Sequence, residues 1–81
     1  MSMATTILGE STIKELAKDW MEMSESGRGS IDCESFTRNK IVTDFDDEVV
    51  DYVDSQPGQN YDYVVAELVY EVAQETGLQI Y

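Results

Sequence analysis

The chain has 81 residues, 17 Asp plus Glu against 5 Lys plus Arg, no His and a net charge of −12. One small domain is the expectation at this length, and a 42% hydrophobic content supplies a core and argues against a fully disordered acidic chain. The charge excludes a nonspecific DNA or RNA binder, which needs Lys and Arg to neutralise phosphate, and disfavours docking on an anionic membrane.

Residues 1–10 carry little pattern and are expected to be a loose lead-in. Met1 to Gly9 lacks the basic flank and apolar run of a signal peptide. Thr12 and Glu15 have the spacing of a capping box. Ile13, Leu16, Ala17, Trp20 and Met21 follow the i, i+3, i+4, i+7, i+8 rhythm of an amphipathic helix over about 12–25. Ser24 to Ser30, with Gly27 and Gly29, ends it.

A second segment begins at Ser30 or Asp32, with Cys33, Phe36 and Ile41 on one face and Val42 adjacent. A break is expected near Thr43. Asp44 then opens a third segment with Asp46, Asp47 and Glu48 in its first turn, where negative charge suits the helix dipole. Phe45, Val49, Tyr52 and Val53 form its apolar stripe. Pro57-Gly58 fits positions i+1 and i+2 of a type II turn, and Asn60 or a neighbour caps the last helix. There Tyr61, Val64, Val65, Leu68, Val72 and Ala73 make a wide apolar face that ends at Gly77. Leu78 to Tyr81 is an apolar tail expected to pack on the core or on a second copy. The fold class is therefore all-α: a compact bundle of three to four short helices in one acidic domain spanning 1–81. A core this small leaves a homodimer open.

Charge is distributed unevenly. All five basic residues lie in 1–40, whereas 41–81 holds ten acids and no base. Asp44, Asp46, Asp47, Glu48, Asp51 and Asp54 gather on the third segment, and Glu67, Glu71 and Glu75 recur every four residues on the last helix. Solubility of a small domain needs a net charge magnitude of only roughly 2–8, and like charges at i, i+4 are mildly destabilising. Helical carboxylates four residues apart are separated by about 6 Å along the axis, the same order as the roughly 3.4 Å advance between phosphates on one DNA strand. A phosphate-like array is one reading and a solubilising surface the other. Tyr63 and Tyr70, near the edge of the apolar face, are candidate protein-binding anchors, since Tyr is enriched at interface hot spots.

Other chemistries lack their residues. Without His, the Ser-His and Cys-His arrangements are excluded, and one Cys cannot assemble a usual zinc site. The run from Asp44 begins like a calcium loop but has Val49 where Gly is needed and Ser55 where Glu is needed. Asp54-Ser55 resembles the attachment pair of carrier proteins, but Gln56-Pro57-Gly58 follows instead of a helix. Cys33 reads as a small buried apolar residue. No catalytic residue, metal or cofactor is expected. With a single Cys and no apolar run long enough to span a membrane, the chain reads as intracellular.

The stretch Asp47-Glu48-Val49-Val50-Asp51-Tyr52-Val53-Asp54-Ser55, followed by Pro57, Tyr61 and Val64, resembles small acidic phage proteins of the overcome-classical-restriction antirestriction type. The resemblance lies within residues 44–78. Small phage inhibitors, anti-CRISPR proteins included, are similar in size and charge. This resemblance implies a helical, often dimeric DNA mimic that inhibits a bacterial defence complex, CRISPR or restriction, in the host cytoplasm. Its partner would be a basic nucleic-acid-binding protein, met by the acids Asp44, Asp46, Asp47, Glu48, Asp51, Asp54, Glu67, Glu71 and Glu75; Tyr63 and Tyr70 join these candidate contacts from the reading of the aromatic residues, not from the resemblance. The alternative is a non-enzymatic interaction or regulatory module, antitoxin-like or for phage assembly, whose acidity is incidental.

Overall fold

The computed structural model describes residues 3–77. They form five helices: α1 (Met3–Ile7), α2 (Glu10–Glu25), α3 (Ser30–Asp44), α4 (Asp46–Ser55) and α5 (Tyr61–Thr76). No strand occurs among the described residues, so the all-α expectation holds with one helix more than its upper count. The expected tail from Leu78 lies outside the described residues.

Helix α5 is the centre. It packs against α1, α2, α3 and α4, most extensively against α2. Val64, Val65, Leu68, Val69, Val72 and Ala73 are buried along it, as the apolar spacing requires. Into this face α2 sends Ile13, Leu16, Ala17 and Trp20, α3 sends Cys33 and Ile41, and α4 sends Val49. Met21, expected in the α2 stripe, is instead partly exposed at 41%, as is Phe36 on α3 at 40%. Thr37, one residue on from Phe36, takes the buried position.

The first ten residues are not a loose lead-in. Met3–Ile7 is helical, and Ala4 and Leu8 are buried in the common core. Helix α2 starts at Glu10 with Gly9 as N-cap, so Thr12 lies inside the helix and the capping box does not form. Gly29 precedes α3 without a side-chain cap, in place of Ser30 or Asp32.

The ends of α4 and α5 follow the sequence closely. The break between α3 and α4 falls at Phe45, two residues after the expected Thr43. The Gln59 N–H donates to the Gln56 carbonyl at 3.3 Å, closing the Pro57-Gly58 turn. Gly58 has φ 86°, the left-handed value that position i+2 of a type II turn demands. Asn60 caps α5, its side chain accepting the Tyr63 N–H at 2.8 Å. Gly77 ends α5 in the left-handed conformation.

Candidate acidic interface

Helix α4 is ten residues long and turns Val49 fully inward, with Phe45, Tyr52 and Val53 partly covered beside it. At about 100° per residue, Asp47, Asp51 and Asp54 fall on the side opposite Val49. All three are exposed, and so are Glu48 and Asp46. Asp46, Asp47 and Glu48 occupy the first turn, where the unpaired backbone N–H groups offset part of their mutual repulsion.

Helix α1 helps to seat this face. Thr6 and Ile7 line a shallow depression together with Glu48, Asp51, Tyr52 and Ser55. Residues 3–7 therefore belong to the surroundings of the acidic surface, which their sequence pattern did not signal.

Two expected members leave the array. Asp44 is the last residue of α3, not part of α4, and its carboxylate lies 3.4 Å from Lys40 Nζ. Asp46 is engaged by α5: the Tyr61 hydroxyl donates to its Oδ1 at 2.6 Å. That hydrogen bond to a carboxylate, with some burial and the charges of Asp46 and Asp62, pushes the Tyr61 phenol up to about 12. The bond ties the first turn of α4 to the first turn of α5.

On α5, Glu67 and Glu71 are half-buried and Glu75 is exposed. Because four residues turn a helix by slightly more than one revolution, this row drifts around α5 instead of running straight. It ends beside α2, where Glu75 lines a depression with Lys14, Lys18 and Met21. The carboxylates thus do not form one flat sheet. Asp47, Glu48, Asp51 and Asp54 make a compact group on α4. Glu67 and Glu71 lie on a neighbouring helix, and Glu75 sits in mixed charge. Tyr63 and Tyr70 are 51% and 54% exposed, seven residues apart on the outer side of α5.

Three ion pairs occur among the described residues: Lys14–Glu10, Arg38–Glu34 and Lys40–Asp44. Each joins residues four apart on α2 or α3. None involves an acid of α4 or α5, and of these acids Asp47, Glu48, Asp51 and Asp54 face solvent as one group.

The remaining chemistry is sparse. No group of three or more His, Cys, Asp or Glu side chains comes together in a metal-holding cluster among the described residues. Cys33 is buried and its thiol points to the Trp20 carbonyl at 3.7 Å. Burial, together with the nearby Asp32 charge, pushes that thiol up and keeps it protonated. Ser55 closes α4, donating its hydroxyl to the Tyr52 carbonyl at 2.9 Å, in contrast to the helix-opening Ser of a carrier protein. No helix among the described residues is long and apolar enough to cross a membrane. No protein-family model, curated protein or solved structure matches the chain.

Proposed function

We propose that this chain is a non-enzymatic inhibitor of a nucleic-acid-binding protein, acting through an acidic face that takes the place of a phosphate backbone. The observation that supports this reading is the exposed group Asp47, Glu48, Asp51 and Asp54, carried on one helix with no ion-pair partner among the described residues. Concentrating like charge on one helix costs folding energy through self-repulsion, and a surface selected for solubility alone would interleave Lys with Glu. A target with a Lys/Arg groove recovers that energy on binding, and complementary charge speeds the encounter. The resemblance of this stretch to phage antirestriction proteins makes a bacterial defence complex, CRISPR or restriction, the proposed target, met in the bacterial cytoplasm.

The test is affinity capture from bacterial lysate at low and high salt, with the bound proteins identified by mass spectrometry. The expected result is a DNA- or RNA-binding complex that washes off with salt and competes with added DNA. Changing Asp47, Asp51 and Asp54 to Lys together is expected to abolish capture and leave the helical content intact, since all three are exposed. Capture that survives this triple reversal refutes the mimic.

A second reading rests on Tyr63 and Tyr70. Large aromatic side chains half-exposed on one side of α5 suit a protein-interaction module, antitoxin-like or for phage assembly, with the charge incidental. Salt-resistant capture that is lost on changing either tyrosine to Ala would establish it in place of the first.

A further inference from the structure

The depression between α1 and α4 has an apolar base and an acidic rim. Its α4 wall is a single face of that helix, since Glu48, Asp51, Tyr52 and Ser55 have the i, i+3, i+4, i+7 spacing. Its other wall is Thr6 and Ile7 of α1, a helix held in place because Ala4 and Leu8 are buried in the core. Ile7 and Tyr52 are half-buried and pack against that core, so the part of them left open is an apolar base. Glu48 and Asp51 are exposed beside it, about 4.5 Å apart along the helix axis. Neither carboxylate has an ion-pair partner among the described residues.

Size and chemistry narrow the occupant. The volume is about 290 Å³, open to solvent. That is below the roughly 300–1,000 Å³ of a site that encloses a whole small molecule, and it suits one side chain presented by a larger partner. A purely apolar side chain would cover both carboxylates and leave them unpaired, which is costly. Lysine and arginine each offer an apolar stem for Ile7 and Tyr52 and a cation for the carboxylates. Arginine fits better. Its planar guanidinium carries several donors in a fixed fork, enough to bridge Glu48 and Asp51, and it stacks on an aromatic face such as that of Tyr52. The lysine ammonium is a compact, strongly hydrated point charge that gains less from either.

We propose that this depression is a socket for one arginine side chain of the bound protein. The proposal rests on the reading of α4 as the binding surface and goes beyond it. Charge alone would make the acids of α4 interchangeable. A socket makes the contact depend on Ile7 and Tyr52 and on the space between α1 and α4, and it gives α1 a part in recognition.

Proton–nitrogen correlation spectra of the full chain, titrated with N-acetyl-arginine amide, test the socket without any target. The shifts are expected to centre on Thr6, Ile7, Glu48, Asp51, Tyr52 and Ser55 and to saturate with a dissociation constant of about 1–10 mM. The lysine counterpart is expected to bind about threefold more weakly. Ser55→Trp fills the depression from an exposed position and leaves the net charge at −12. It is expected to weaken arginine binding about tenfold with unchanged circular dichroism. Glu48→Gln with Asp51→Asn, which keeps the shape and removes the charge, is expected to do the same. Shifts spread equally over the acids of α5, equal binding of the lysine counterpart, or binding indifferent to Ser55→Trp overturns the socket. Capture from lysate separates this failure from that of the inhibitor reading. Capture that is lost on the triple reversal but survives Ser55→Trp refutes the socket alone. A socket that takes arginine, in a chain that captures no nucleic-acid-binding protein, refutes the inhibitor reading alone.

Discussion

The hydroxyl of Tyr61 offers a sharp test of how α4 is held. Replacing Tyr61 by Phe keeps the ring against the core and removes only the donor of the 2.6 Å bond to Asp46. The displacement of the phenol from 10.0 to about 12 corresponds to a ceiling of ~2.7 kcal/mol at about 1.36 kcal/mol per unit. The pair is open to solvent, so screening reduces this to about 1 kcal/mol. For a domain of this size such a loss lowers the melting temperature by about 4–8 °C. Melting of the wild type, Tyr61→Phe, Asp46→Asn and the double variant, followed by far-ultraviolet circular dichroism, isolates the pair from the dipole contribution of Asp46. The coupling also has a pH signature. The folded phenol holds its proton more tightly than the unfolded one, so the contribution is whole below pH 10 and is lost between pH 10 and about 12. The advantage of wild type over Tyr61→Phe therefore vanishes across that window, and the variant lacks the phenolate absorbance step near pH 12. A coupling energy within error of zero at neutral pH would refute the idea that this bond fixes α4 to α5.

Three further outcomes follow from the packing and charge. Leu68→Ala, at a fully buried position of α5, is expected to cost about 3–5 kcal/mol, a large share of the roughly 4–12 kcal/mol available to a chain of this length, and urea melts will show it. Asn60→Ala removes the cap on the Tyr63 N–H and is expected to cost about 1 kcal/mol in the same assay, while Asn60→Asp retains most of the stability. Raising NaCl from about 0.05 M to about 0.5 M is expected to increase the melting temperature of wild type by screening the unpaired acids, and to do so less for the Asp47, Asp51 and Asp54 to Lys variant.

The helices with a long, regular apolar rhythm were legible in the sequence. Helices α2 and α5 have that rhythm, and Asn60, Pro57-Gly58 and Gly77 punctuate α5 with the side chains that such ends demand. Helix α1 was not legible: five residues, two of them Thr and one Ile, carry weak helical preference, and α1 is held by packing on α5, α2 and α4 instead of by its own propensity. Helix α3 misled on its inward side, because Thr37 is buried while the larger Phe36 stands partly outside. Its apolar residues do not gather on one side, so no periodic signal marks its core face. The acidic character of α4 was plain from composition. The withdrawal of Asp44 to Lys40 and of Asp46 to Tyr61 depends on where α3 ends and how α5 meets α4, which are tertiary facts.

The position of α5 in chain order also governs how the molecule comes into being. The four helices made first each bury their apolar side against the one made last. A growing chain therefore carries Trp20, Ile41 and Val49 without their final shelter until α5 has been added, a step of roughly 1–3 s at the usual rate of synthesis. The native core closes only once α5 has been made. In that interval a protease or chaperone meets an open, apolar chain, and any defect that delays or truncates α5 removes the common wall on which all the other helices rest.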